Sequence, residues 1–183
     1  MDSSNHRDLF KIAITLPDLI PGEAERITEL LRRGDVRIVH IRKPDWSAEE
    51  TARLIESIPE DLHPQLRIHD HFELVSRYRL AGVHLNARNP IPHPEAKSVS
   101  RSMHSIEQLD EAKHYDYITL SPIFDSISKT GYRSAFSLSE LSSLLKGRKV
   151  VALGGVTPDR FPQLIAAGFW GAAMSGYFFK TKN

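Results

Sequence analysis

Short runs of Val, Ile and Leu alternate with longer amphipathic segments along the whole chain, and this rhythm limits the fold more than any other feature. The apolar runs are Lys11–Thr15, Val36–Ile41, Gln65–His69, Gly82–Leu85, Ser98–Ser102, Tyr117–Leu120, Lys149–Leu153 and Gly171–Met174. Apolar content with little polar alternation is what parallel strands covered on both faces require. Helical patterns intervene at Glu23–Arg33, Ala48–Ile58, Phe72–Arg79, Ile106–His114, Leu138–Leu145 and Pro158–Ala166. Ser47, Ser105 and Thr157 stand at the starts of three of them, Thr157 with Pro158 at the first helical position. Gly34 and Gly168 fall where helix C-caps are wanted.

Strict βα alternation over eight strands predicts an α/β chain closed as a (β/α)8 TIM barrel, one domain over 1–183. A doubly wound open sheet is the alternative, because alternation alone does not establish closure. Any barrel must be trimmed. The segment Asn86–Lys97, with Pro90, Pro92 and Pro94, leaves little room for a fourth helix, and Ser175–Asn183 is too short for a full eighth. A shortened eighth helix leaves apolar barrel surface for a second subunit to cover, so a homodimer is expected.

Composition narrows the function. The 183 residues carry 24 Lys and Arg against 23 Asp and Glu, a net charge of +1 with no global basic field, which argues against nucleic acid as a partner. The chain has no cysteine, which excludes disulfides, thiolate metal sites and a Cys nucleophile. No apolar run approaches the roughly 18 residues a spanning helix needs, so no membrane is expected. The start, Met1 to Asp8, lacks an apolar signal core, and a soluble cytoplasmic protein is expected. No Gly-x-Ser-x-Gly, P-loop or Gly-x-Gly-x-x-Gly pattern is present.

In either fold, ligands bind beyond the carboxyl ends of the strands. The residues there are polar: His40-Ile41-Arg42-Lys43, His69-Asp70-His71, His84-Leu85-Asn86, Ser102-Met103-His104, Ser121-Pro122, Gly154-Gly155 and Ser175-Gly176. Backbone amides of Gly154, Gly155, Ser175 and Gly176 can approach a phosphate, although tight turns also need glycine for geometry alone. Arg42 offers a planar fork to phosphate, and Lys43 and Lys129 offer point charges or are solvated surface lysines. Lys129 lies in the longest loop, Ser121–Ala135, whose length suits a lid or an insertion. Asp70 suits Mg2+ shared with substrate phosphates, or a helix N-cap before Phe72. His69 and His71 alone make no zinc site. Among His40, His84 and His104, His104 is the candidate acid or base, because it lies beyond Ser102 at a loop start.

In order and spacing, these rim residues resemble the thiamin phosphate synthase and thiazole tautomerase superfamily. The matching segments are His40-Ile41-Arg42, His69-Asp70, Gly82-Val83-His84-Leu85, Ser102-Met103-His104, Asp116-Tyr117, Pro122-Ile123-Phe124, Lys129, Ala152-Leu153-Gly154-Gly155-Val156 and Gly171 to Gly176, within Lys11 to Phe178. The resemblance implies a (β/α)8 barrel that binds a phosphorylated thiazole and an aminopyrimidine diphosphate with Mg2+. It implies that Gly154, Gly155, Ser175 and Gly176 hold the thiazole phosphate, that Arg42, Lys43, Ser126 and Lys129 hold the diphosphate, and that Asp70 holds Mg2+. His40 and His69 join the substrate-binding set, while Ser102, His104 and Lys129 take the catalytic places. The chain departs from the synthase pattern at Lys43-Pro44, where Glu-Lys is usual, at His69, where Asn is usual, at Asn89, where a second metal carboxylate is usual, and at Ser121, where Gly is usual. Three readings follow: a divergent synthase, a thiazole phosphate tautomerase, and a non-catalytic barrel that binds thiazole or thiamin phosphate.

Overall fold

A computed structural model of the chain describes residues 8–125 and 136–179. Eight strands close into a barrel, each parallel to both neighbours: β1 (Phe10–Ile14), β2 (Ile38–Ile41), β3 (Leu66–Ile68), β4 (Gly82–Leu85), β5 (Val99–Met103), β6 (Tyr117–Leu120), β7 (Val150–Ala152) and β8 (Gly171–Met174). The pairing of β8 with β1, Phe10 opposite Gly171 and Ala13 opposite Met174, decides for closure over the open sheet. Gly171 is needed at that seam, because a Cβ there would lie 2.5 Å from the Phe10 carbonyl oxygen.

The helices outside are α1 (Glu23–Arg32), α2 (Ala48–Glu56), α3 (Leu74–Arg77), α4 (Leu138–Leu144), α5 (Phe161–Ala167) and α6 (Gly176–Phe179). Helix α1 buries Ala24, Ile27, Leu30 and Leu31 on one stripe and ends at Gly34, whose φ of 69° closes a Schellman turn through Gly34 N–H to Leu31 O and Asp35 N–H to Leu30 O. Ser47 and Glu50 form a reciprocal capping box at the start of α2. Helix α3 is a single turn rather than the span Phe72–Arg79, because His71 and Arg79 on either side of it take left-handed φ of 54° and 50°. The segment Glu107–His114 is a 3-10 helix, and its buried pair, Leu109 and Ala112, has the three-residue spacing that a 3-10 turn eclipses. No helix joins β4 to β5 among the described residues, and α6 has only four residues, so the fourth and eighth helical segments are shortened as the sequence predicts. Among the described residues no helix is long and apolar enough to cross a membrane.

Inside the barrel, the strands are less uniformly apolar than their sequences suggest. Along β2 to β6 the inward positions are His40, Arg67, His84, Ser100, Ser102, Tyr117 and Thr119, in register as His40 with Arg67, His84 with Ser100 with Tyr117, and Ser102 with Thr119. Outward, Val39, Ile41, Leu66, Ile68, Val83 and Leu85 join one apolar cluster with the buried residues of α1, α2 and α3. Around β1, β7 and β8, Ile12, Ile14, Val151 and Ala173 form an apolar plug with Ile38 and one face of Tyr117.

Candidate active site

The polar half of the lumen is one hydrogen-bonded network. His40 Nδ1 lies 2.9 Å from His69 Nε2, and His40 Nε2 lies 2.5 Å from the Tyr117 hydroxyl. His84 is held between Ser100 Oγ at 2.7 Å and Ser102 Oγ at 2.8 Å. All three imidazoles are buried, and burial pushes each pKa down, that of His84 to about 3, with the Arg67 guanidinium opposing protonation further. They are neutral at pH 7. Arg67 is itself buried, donating to the Val83 carbonyl at 3.2 Å and to Ser98 Oγ, with its guanidinium 4.8 Å from the Tyr117 ring centroid. Burial lowers its pKa and raises that of Tyr117.

Above this floor sits Asp70, which does not cap α3. Its Oδ1 accepts from Asn89 Nδ2 at 2.9 Å and Arg88 Nη2 at 3.1 Å, while its Oδ2 is buried with no hydrogen-bond partner. Asn86 builds the loop that brings these groups in. Its Oδ1 accepts from the N–H groups of Arg88 and Asn89, and its Nδ2 donates to the His69 carbonyl at 2.9 Å. A buried bare carboxylate oxygen is a ligand position for a hard cation, and Mg2+ needs few protein ligands when substrate phosphates supply others. Asp70 therefore fits Mg2+ as a single protein ligand, with Asn89 donating to its other oxygen rather than adding a second carboxylate.

The remaining rim residues divide sharply. Arg42 is half-buried at the end of β2, fixed by its N–H to Thr15 Oγ1 at 2.9 Å, and its guanidinium makes no hydrogen bond or ion pair with a described residue. Lys43 is different. Its ammonium donates to Glu23 Oε1 and Oε2 at 2.9 and 2.7 Å and to the carbonyls of Leu16 and Asp18 at 2.8 Å, with both side chains 1% exposed. Burial pulls the Lys43 pKa down and the Glu23 pKa up, each opposed by its partner. Three protons facing four acceptors leave nothing for a phosphate, so Lys43 is neither the diphosphate cation nor the solvated surface lysine of the sequence reading. It is a buried strut between β2 and α1.

The turn after β7 needs its glycines for packing. Gly154 and Gly155 have φ of 92° and 60°, and Cβ atoms there would meet Pro122 Cα at 2.8 Å and the Asp125 carbonyl oxygen at 2.4 Å. The segment after β6 is laced onto this turn by the Ile123 N–H to Leu153 O and the Phe124 N–H to Gly154 O. The N–H groups of Gly155 and Val156 donate to no described group, and the β7–β8 pairing sets Ser175 and Gly176 on the neighbouring strand end. His104 is exposed on the rim. Its Nδ1 donates to the Ser121 carbonyl at 3.1 Å, and its N–H donates to Gln108 Oε1 at 2.9 Å. Ser126 and Lys129 lie outside the described residues.

Arg88, Arg67 and Ser100 received no role from the sequence, yet Arg88 meets Asp70 and the other two line the floor. The signal for the floor was the inward step from His40 to the residues paired with it, His84 with Ser100 and Arg67, which only the strand register exposes. Arg88 carries no local signal. It reaches Asp70 because the Asn86 turn folds back.

Eight parallel strands with a carboxylate, a guanidinium and turn amides that meet no described acceptor at their carboxyl ends define a (β/α)8-barrel enzyme. Residues 12–177 match the family described as thiamine monophosphate synthase, and the chain belongs to that family. It is similar to the thiamine-phosphate synthase of Phocaeicola vulgatus, 27% identical over 169 residues, which cover 82% of this chain and 81% of that protein. The thiamine-phosphate synthase of Vibrio campbellii is 29% identical over 164 residues, covering 82% and 80%. Among solved structures, thiamine phosphate pyrophosphorylase from Bacteroides thetaiotaomicron superposes with a TM-score of 0.77 and 38% identity, over 90% of this chain and 82% of that one.

Proposed function

We propose that this chain is a divergent thiamin phosphate synthase, joining a phosphorylated thiazole to an aminopyrimidine diphosphate. In that reaction the carbon–oxygen bond to the diphosphate breaks, pyrophosphate leaves, and the thiazole nitrogen forms the new bond to the pyrimidine carbon. The protein's work is then to hold phosphates and to stabilise separating charge. The observation that carries the reading is the bare, buried Oδ2 of Asp70, on the same rim as the Arg42 guanidinium, which pairs with no described residue. Mg2+, held by Asp70 with substrate phosphates, would neutralise charge on the departing pyrophosphate. Arg42 would take the diphosphate oxygens through its fork, and the amides of Gly155 and Val156, with Gly154, Ser175 and Gly176, would take the thiazole phosphate. His40, His69 and Ser102 would form the floor under the pyrimidine, and Ser126 and Lys129 would complete the diphosphate set.

A tautomerase is the second reading, favoured by one observation: Arg88 and Asn89 together offer Asp70 a cation and an amide where a second carboxylate would strengthen a metal site. His104 would then move the thiazole proton. Incubation with both substrates and Mg2+, followed by assay of pyrophosphate and thiamin phosphate, separates the two. The expected result is Mg2+-dependent pyrophosphate release that falls roughly 10²-fold or more in Asp70→Asn, the scale of losing one placed charge contact. Proton exchange on the thiazole alone, abolished by His104→Ala with no pyrophosphate formed, would replace the synthase reading with the tautomerase.

A further inference from the structure

Three imidazoles on three adjacent strand ends converge in the lumen: His40, His69 and His84, each offering a nitrogen within 4.8 Å of the others. We propose that these three histidines form a nitrogen-ligand site for a divalent ion of borderline softness, of the Zn2+ type, separate from the oxygen ligand Asp70 offers to Mg2+.

The geometry is close to what such an ion requires. At Zn–N bonds of about 2.0–2.1 Å, two imidazole nitrogens in a tetrahedral shell stand roughly 3.3 Å apart. His40 Nδ1 and His69 Nε2 face each other at 2.9 Å. An ion inserted between them widens that gap by a few tenths of an ångström and replaces a shared proton. The outer shell is already built. With Nδ1 on the metal, His40 presents Nε2–H to the Tyr117 hydroxyl, and His84 has a serine hydroxyl at each nitrogen, so either can coordinate while the other is anchored. Burial keeps all three imidazoles neutral, so no proton competes for the lone pairs at pH 7.

The charge balance fixes the fourth ligand. No carboxylate belongs to the cluster, and Arg67 adds positive potential to all three rings. A dication here therefore favours an anionic fourth ligand over neutral water, hydroxide or the oxygen of a bound oxyanion. Three histidines with an open fourth position are the donor set of catalytic rather than structural zinc. Imidazole donors select such ions over Mg2+.

The test uses the full chain without a polyhistidine tag, stripped with EDTA and titrated with Co2+, and it needs neither thiazole nor pyrimidine, so it stands or falls apart from the proposed reaction. The expected result is one equivalent of Co2+ with the intense visible bands of a four-coordinate ion, displaced by Zn2+. His40→Gln and His69→Asn should each weaken binding roughly a hundredfold or more, beyond what loss of an outer-shell partner costs. His93→Gln with His114→Gln, outside the lumen, should leave the bands unchanged. Near-UV circular dichroism checks that the lumen variants fold. Should they not fold, the thermal midpoint of the unaltered chain must rise with Zn2+ by mass action. Absence of both the visible bands and that rise at millimolar metal would overturn the proposal, as would bands indifferent to His40→Gln and His69→Asn in folded protein.

Discussion

Around β1, β7 and β8 the barrel lumen is filled by Ile12, Ile14, Val151 and Ala173, whereas between β2 and β6 it is filled by His40, Arg67, His84, Ser100, Ser102, Tyr117 and Thr119. Both halves are buried apart from the half-buried Ser102, and both are held by the same parallel ladder. The apolar half gains stability from area removed from water, whatever the pH. The polar half repays desolvation only while its hydrogen bonds are intact and its imidazoles stay neutral. One side of a barrel can thus be a conventional core while the other keeps chemistry inside the fold.

The largest expected effect breaks the comparison on the polar side. His40, His69 and His84 have folded pKa values pushed below the unfolded value near 6.5. Below pH 6.5 the unfolded chain binds protons that the folded chain refuses, so stability falls as pH falls. The groups facing the cluster strengthen the trend, since Arg67 from β3, Arg42 after β2 and Arg88 after β4 are all cationic. Each proton that only the unfolded chain takes up costs about 1.4 kcal/mol per pH unit once it is fully bound there, so three such imidazoles make stability fall steeply between pH 6.5 and 5. Urea unfolding at a series of pH values measures this. His40→Gln should remove one proton from the slope, and an unchanged slope would show that the carboxylates, not the imidazoles, govern acid unfolding.

On the apolar side, Ile12 is fully buried in the plug. Ile12→Ala should cost about 2–5 kcal/mol through lost transfer energy and the cavity left behind. That cost should be the same at pH 7 and pH 5.5, read as a shift of the urea midpoint with the slope unaltered. A pH-dependent cost would mean the two halves are coupled through Tyr117, whose ring touches the plug while its hydroxyl meets His40.

Much of this architecture is legible in the amino-acid order. The residues of β4, β6 and β8 are readable to the ends because their apolar runs are bounded by Gly, Asp, Ser or Asn, and Gly34, Ser47 and Gly168 mark helix limits by backbone chemistry that acts within a few residues. Asp70 and Arg42 are visible for the same reason, as polar groups just after apolar runs. What sequence order hides depends on partners far along the chain. Lys43 reads like a substrate lysine until Glu23, 20 positions earlier, closes on it. The polar lumen is hidden because His40 and His84 are single polar inward residues in strands whose outward neighbours are apolar. Arg88 is hidden because nothing in its own segment foretells that Asn86 turns it toward Asp70.

The smallest effect sharpens the boundary between the halves. Thr119 sits opposite Ser102 on one side and Val151 on the other, so its side chain lies where polar lumen meets apolar plug. Its Oγ1 is buried with no hydrogen-bond partner. A buried hydroxyl without a partner carries its desolvation penalty uncompensated, and valine has nearly the same shape without that oxygen. Thr119→Val should therefore stabilise the fold by up to about 1 kcal/mol and move the boundary one residue toward Ser102. The measurement is again the urea midpoint, paired with the pH series, whose slope should not change because no titrating group is touched. Destabilisation would show that an internal water holds the hydroxyl, extending the polar network from Ser102 as far as Thr119 and leaving β7 as the first wholly apolar strand.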